Sequence, residues 1–382
     1  MGFFVFTETT KNKKMGKDLL YDIALTQLFM VGPRTARTLI EHLGSAEAVF
    51  KESPDVLRKI GGVGAYISDE GYRQEALRRA SAEIEFIEKN RIKAIPFGSN
   101  DYPVRLAQCS DAPQILYQYG NCNLNAQKFV AIIGTRNATK YGRDLTNELV
   151  KTLAVSNPDT VIVSGLAYGI DIASHKAALE HGLPTIGIVA HGLDRIYPHV
   201  HRQYASQMIQ SGGAIVTEYL SKTTPDPQNF VQRNRIVAGL SDVVVVVESA
   251  IKGGSLITAN IANDYNRDVM AFPGRVGDKT SEGCNKLIRQ HKAEIITSAE
   301  DLINLMGWTA PEKNAVQQTL FNDLTPEQQS VIDLLKSGPQ HINIISTNLD
   351  LSIQKTSALL TEMVFDELID QLPGDVYTIH NA

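Results

Sequence analysis

Cysteine is scarce in this chain of 382 residues. Cys109, Cys122 and Cys284 stand far apart, with none of the short paired spacings of a zinc site or a redox motif, so the chain reads as a reduced, cytoplasmic protein. No apolar run reaches the ~18 residues of a membrane helix. The opening MGFFVFTETTKNKKMGK sets its apolar patch before its lysines, the reverse of a secretory signal, and residues 1–17 are expected to be a disordered leader. A basic surplus is also missing: 37 Lys and Arg against 42 Asp and Glu leave a net charge of −5, so any nucleic-acid contact must come from local clustering of cations.

Several catalytic signatures are absent too. The second glycine turn is Gly165-Leu-Ala-Tyr-Gly169, not G-x-G-x-x-G, which removes the dinucleotide fingerprint. There is no G-x-x-x-x-G-K-[ST] and no G-x-S-x-G, which argues against P-loop ATP hydrolysis and a nucleophile elbow. His181, His191, His199 and His201 are not paired four apart beside a glutamate, so no metal is expected, and no cofactor either.

The length predicts two or three folding units. Residues 18–97 have helical periodicity. The turn at Gly32 to Thr35, and a weaker copy at Gly62 to Ala65, read either as helix-hairpin-helix elements whose amides grip a phosphate or as ordinary glycine turns of a helical module. The proline-bearing AIPFGSNDYPVRLAQCSDAPQILYQYGN reads as an irregular bridge. From Phe129, the runs FVAIIG, TVIVSG, TIGIVA, AIVTEY, DVVVVVES and DVMAFPG alternate with helical stretches. Continuous apolar strands each followed by a helix predict an α/β fold with a doubly wound, mostly parallel sheet within 98–308. Residues 309–323 are polar and read as a linker. In 324–382, three helices and a hairpin suggest a winged helix, and its candidate recognition helix carries Lys355 as its only cation, followed by Glu362, Asp366 and Glu367; contact with protein is the expectation there.

In such a sheet, ligands bind beyond the carboxyl ends of the strands. After the first strand, Gly134 permits close backbone approach, Thr135 offers a hydroxyl and Arg136 a planar fork suited to phosphate. After the second, Ser164 and Gly165 end the strand and Gly169 opens a helix whose amides could hold an anion, with Asp171 read as a cap. Arg233, Asn234 and Arg235 lie at a helix start where cations oppose the dipole, so they need either an anionic ligand or structural pairing with Glu218 or Glu248. Phe230 reads as a base-stacking side chain or a buried anchor. Gly254, Ser255 and Thr258, after Lys252 and Gly253, form another anion cradle. Repeated cradles with arginines fit a ligand of repeated phosphates, as a single nucleic-acid strand supplies.

The ordered motifs DYPVRLAQCSDAPQILYQYGN, IIGTRNATKYG, VSGLAYGIDIASHKAAL, GLDRIYP, GGAIVTEY, FVQRNRIVAGLSDVVVVVES, GGSLITANIA, AFPG and EGCNKLI resemble the bacterial DprA (Smf) family of DNA-processing proteins. The resemblance implies a Rossmann-like domain flanked by an N-terminal SAM/helix-hairpin-helix-like module and a C-terminal winged helix. It also implies a non-enzymatic homodimer that binds and protects incoming single-stranded DNA and loads RecA recombinase in natural transformation, away from the membrane. Carried onto this sequence, the DNA pocket uses Gly134, Thr135, Arg136, Ser164, Gly165, Gly169, Phe230, Arg233, Asn234, Arg235, Gly254, Ser255 and Thr258, with Arg267 as a fainter candidate. RQHKAEII and VESAIKGGS depart from the family's usual pattern, and the tail is acidic.

The strongest rival is a nucleoside monophosphate phosphoribohydrolase with a P-G-G-x-G-T-x-x-E loop. In register, KGGSLITAN puts Asn260 where that glutamate stands, leaving Asp171, Glu218 or Glu248 as substitutes for the general acid/base. The other rival is an adaptor whose sheet is only a scaffold.

Overall fold

The computed structural model describes residues 18–60, 65–308, 324–336, 338–366 and 368–379, so the leader, the glycine turn at 61–64 and the linker at 309–323 lie outside the described residues. The chain divides into two units, Met1–Trp308 and Thr309–Ala382.

The N-terminal part is helical: α1 over 18–25, α2 Pro33–Leu43, α3 Ala46–Lys51, α4 Pro54–Leu57 and α5 Glu70–Asn90. Proline at the first position starts α2, and Gly44, in the left-handed region at φ 88°, ends it. Asp69 caps α5 by accepting from the amides of Gly71 and Tyr72. The apolar faces of these helices meet in a core of Ile23, Leu39, Val49, Leu57 and Ile87, which Ile115 and Tyr117 of the central sheet complete.

That sheet has nine strands: β1 Lys93–Pro96, β2 Ile115–Gly120, β3 Lys128–Ile133, β4 Thr160–Ser164, β5 Thr185–Ile188, β6 Ala214–Thr217, β7 Val243–Val246, β8 Asp268–Ala271 and β9 Glu294–Ile295, in the order β1-β2-β6-β5-β4-β3-β7-β8-β9. From β6 through β9 all neighbours are parallel, and β2 and β1 extend the edge antiparallel. The region read as an irregular bridge therefore contributes two strands, and the sheet starts at Lys93, before residue 98. The strand signal was masked because β1 is four residues long and ends on Pro96, which only an edge position tolerates.

Period-two alternation decides which side chain fills which face. Phe129, Ala131 and Ile133 of β3 pack with Val163, Val244 and Val246 on one side of the sheet, while Val130 and Ile132 pack with Ile162, Val243 and Val245 on the other. Both faces are dry because helices cover both: α6 Val104–Ala107, α7 Lys140–Ser156, α8 Ile170–His181, α9 Arg202–Gln210, α10 Pro227–Leu240, α11 Gly254–Asp264, α12 Glu282–Arg289 and α13 Ala299–Leu305. The second unit holds α14 Pro326–Leu335, α15 Ile342–Leu349 and α16 Ile353–Phe365 with a sheet of β10 Gln340–His341, β11 Ile369–Leu372 and β12 Val376–Ile379 in the order β10-β12-β11. Val331, Ile345, Leu360, Met363 and Tyr377 form its core, a winged-helix arrangement. No helix among the described residues is long and apolar enough to cross a membrane.

Candidate functional site

The chain lays β4, β5 and β6 on one side of β3 and then returns to place β7, β8 and β9 on the other. The order thus reverses between β3 and β7, and the loops after these strands part to leave a crevice. A cavity of about 680 Å³ lies there. Gly134, Thr135 and Arg136 line it after β3 and Gly165 after β4, while α10 supplies Phe230, Arg233 and Asn234, and α11 supplies Gly254, Ser255 and Thr258. Residues picked from four separate loops share one space.

The loops are locked by close backbone contacts. A Cβ on Gly134 would press on Ile170 and on the Glu248 carbonyl, and the next amide, of Thr135, donates to that carbonyl over 2.7 Å. Gly169 sits at φ 78° with the Thr135 carbonyl where a Cβ would stand, so only glycine fits. Among the helix N-termini, α7 is filled by its own Thr139 and by Glu248, which accepts from the Thr139 amide over 2.9 Å and from its hydroxyl, and α10 is capped by Asp226. No side chain caps α8, whose first amide, of Ile170, is taken by the Thr135 carbonyl at 3.2 Å. α11 has no side-chain cap either, and the space where a Gly254 Cβ would stand is empty. Its amides and dipole favour an anion in the cavity.

Charge and aromatic surface lie beside this cradle. The exposed Arg136 holds its guanidinium 5.5 Å from the ring centre of Phe230, and Tyr197 packs 5.9 Å away on the same ring. Arg233 is only 4% exposed; it donates to the Ile188 carbonyl and lies against Gly165, where a Cβ would collide with it. Burial pulls the Arg233 guanidinium below its ordinary pKa while the charge of Asp171 supports it; burial likewise raises the Asp171 carboxyl against the pull of Arg233. The pair forms the floor of the cavity, and Arg233 Nε has no partner among the described residues.

Other residues selected from the sequence do not reach the cavity. The hydroxyl of Ser164 turns inward to the Ile132 carbonyl at 2.6 Å, and Gly169 acts through backbone fit rather than as a lining group. α10 begins at Pro227, so Arg233, Asn234 and Arg235 lie in the middle of the helix and not at its start, and no dipole opposition acts on them; Arg235 is buried and bonded to Glu218, the structural pairing. Arg267 donates to the Arg105 carbonyl at 2.7 Å, away from the cavity. Of the carboxylates weighed for acid/base work, Glu248 caps α7 and Glu218 pairs with Arg235, leaving Asp171 alone in the lining, under Arg233. Asn260 turns its amide to the Leu256 carbonyl. His201 bonds the Leu166 carbonyl, His191 accepts from the Tyr197 amide, and His181 meets Asn147, so these three act in packing. Sequence reasoning missed Tyr197; the proline after it, before a glycine-poor turn, gave no signal that it would face α10.

Residues 93–307 match the model of the DNA recombination-mediator protein A family, and 317–375 match the DprA winged helix domain. The chain is 35% identical to Protein Smf of Synechocystis, over 94% of this chain and 98% of the relative. It is 40% identical to the DNA processing protein DprA of Bacillus subtilis, over 60% and 74%. Among solved structures, DprA of Streptococcus pneumoniae superposes with a TM-score of 0.64 at 32% identity, covering 75% of this chain and 97% of that one. DprA of Helicobacter pylori, described for its single-stranded DNA binding mode, superposes at 0.51 with 32% identity, over 58% and 98%.

Proposed function

This chain belongs to the DNA recombination-mediator protein A family, whose members act in DNA processing and recombination, and from that premise we propose that the cavity between β3 and β7 holds single-stranded DNA. One observation carries the reading: a solvent-facing guanidinium, Arg136, stands over the half-buried ring of Phe230, beside an uncapped helix N-terminus. A base stacks on the ring, and its phosphate takes the guanidinium fork and the amides of α11. Thr135, Asn234, Ser255 and Thr258 supply neutral hydrogen bonds along the same wall. Beneath them, the charges of Arg233 and Asp171 support one another against burial.

In this reading, the protein covers a strand without cutting it, works in the cytoplasm as a homodimer, and hands the strand to RecA recombinase, as expected of the family. The likeness to the Helicobacter pylori protein, whose single-stranded DNA binding is described, supports the first step. The test is fluorescence anisotropy of a labelled oligo-dT with full-length protein. Arg136→Ala and Phe230→Ala are each expected to weaken binding at least about tenfold. Unchanged affinity in both variants, at unchanged melting temperature, refutes the site.

A further inference from the structure

One stretch of the central sheet lacks the cover that its neighbours have. Tyr117 and Tyr119 of β2 point to the same face. Tyr117 is 1% exposed beneath the N-terminal helices, whereas Tyr119 is 44% exposed. β1 ends its pairing at Lys93 with Gln118, so Tyr119 lies past the edge strand, paired with Ile215 of β6. The helix between β1 and β2, α6, sends Leu106 into the core on the opposite face. Between Tyr119 and α9 this leaves a groove of about 580 Å³, walled by the half-buried Leu193, Ile196 and Ile209.

The α9 wall is a helical seam. Arg202, Ala205, Ser206, Ile209 and Gln210 line the groove, spaced three and four apart as one face of a helix is. At about 1.5 Å per residue, the seam is roughly 12 Å long, the length of two helical turns. A sheet of this class is ordinarily closed by helices on both faces, so the groove has the form of a place for one more.

Charge indicates what that helix carries. Arg202 is the first residue of α9, where a cation opposes the helix dipole, and it pairs with no carboxylate among the described residues. An exposed side chain set against its own helix is a local conflict of the kind found at binding surfaces. Arg195 meets Asp194 at 2.7 Å, an exposed pair that contributes little to stability. Asp194 also accepts from the Lys222 amide at 2.8 Å, so the one carboxylate among the lining residues is already engaged. Repeated phosphates would find no track of donors on Leu193, Ile196 and Ile209. An amphipathic helix with acidic flanks satisfies both the apolar floor and the basic rim. We propose that this groove docks such a helix from a partner protein, its apolar side chains on Tyr119, Leu193, Ile196 and Ile209 and its carboxylates on Arg195 and Arg202. Ile196 lines the groove and Tyr197 the trough, so one loop separates the two sites, and docking requires no strand in the trough.

The experiment measures anisotropy of a labelled synthetic peptide of about 18 residues, long enough to hold a helix in isolation, with leucines three and four apart and glutamates flanking them. Full-length protein is expected to bind it at least about tenfold more tightly than a scrambled peptide of the same composition, because burying even one leucine is equivalent to about that factor. Arg202→Glu suits a helix N-terminus and so spares the fold. It is expected to weaken binding several-fold, and a peptide with lysines in place of the glutamates to recover the loss. Ile209→Glu, which puts a charge on the apolar floor, removes binding of either peptide while leaving oligo-dT affinity unchanged. Equal binding of the ordered and scrambled peptides overturns the proposal. Displacement of the peptide by oligo-dT also overturns it, by giving the groove to nucleic acid. A shift of the protein alone from dimer to monomer on Arg202→Glu, in sedimentation velocity, makes the occupant a second copy and overturns it as well.

Discussion

Glu83, on the helical α5, accepts from the Ser221 amide over 2.9 and 3.0 Å and from the Ser221 hydroxyl over 2.6 Å, although 138 residues separate the two. Arg79 adds a bond to the Ser221 carbonyl and an ion pair to Glu83. The segment between β6 and α10 is thus moored to the N-terminal helices, and this segment brings Pro225 and Pro227 to the trough. Glu83→Ala leaves a buried amide and hydroxyl unmet, at about 1–3 kcal/mol. It is expected to lower the melting temperature in differential scanning fluorimetry and, below that temperature, to weaken oligo-dT binding by several-fold. Full affinity in a destabilised variant shows that the mooring serves folding alone.

Arg136 and Arg235 separate ligand binding from stability. Each phosphate contact contributes about 0.7 to the slope of log K against log salt for a single strand. Arg136→Ala is expected to flatten that slope by roughly this amount with little change in melting, because the side chain is exposed. Arg235→Ala strips Glu218 of its partner in a buried site, where breaking such a pair costs about 3–5 kcal/mol. Its salt slope should equal that of the unmodified protein. A flattened slope in Arg235→Ala would return that arginine to the DNA surface.

The same two arginines show how far the sequence could be read. Continuous apolar runs such as VIVSG and VVVVVES identify β4 and β7, since only a sheet covered on both faces buries every residue of a strand. The switch-point rule then brings their loops together. The sequence does not say directly which cation points where, but helical geometry does: Phe230, Arg233, Asn234 and Val237 are spaced three and four apart on one face, whereas Arg235 stands two from Arg233 and faces elsewhere. The floor pair Arg233 and Asp171 was less legible, because it joins two helices 62 positions apart, and no local pattern encodes it. β1 is four residues long and ends on Pro96, and β2 runs antiparallel beside it at the sheet edge, with only the four-residue α6 between them to mark a strand–helix alternation.

Gly165 tests that floor. A methyl group there would enter the space of the Arg233 guanidinium, which is fixed by the Ile188 carbonyl. Gly165→Ala is expected to displace Arg233, expose Asp171 as an uncompensated carboxylate in the trough, and reduce oligo-dT affinity by at least about tenfold. Restored binding on lowering the pH, as Asp171 takes up a proton, would identify its charge as the cause. Loss of affinity that pH leaves untouched would point to steric closure instead.

The last prediction concerns acid. His175 has no exposed surface, and its Nδ1 lies 2.7 Å from the Thr185 hydroxyl, which itself donates to the Ile162 carbonyl. The hydroxyl therefore accepts from Nδ1–H, and the buried Nε2 has no partner among the described residues that would take a second proton's hydrogen bond. Burial, aided by His201 and Arg233, lowers its pKa to about 3. Between the ordinary value of 6.5 and about 3, the unfolded chain binds a proton that the folded chain refuses, so stability is complete above 6.5 and falls as the pH drops through this window. The loss approaches about 1.4 kcal/mol per pH unit from this one residue. Urea melts of the full chain at pH 7, 6 and 5 should show that slope, and His175→Gln, which carries no titratable ring, should flatten it even if its melting temperature is lower throughout. An identical slope in both proteins would mean that another buried group takes up the acid.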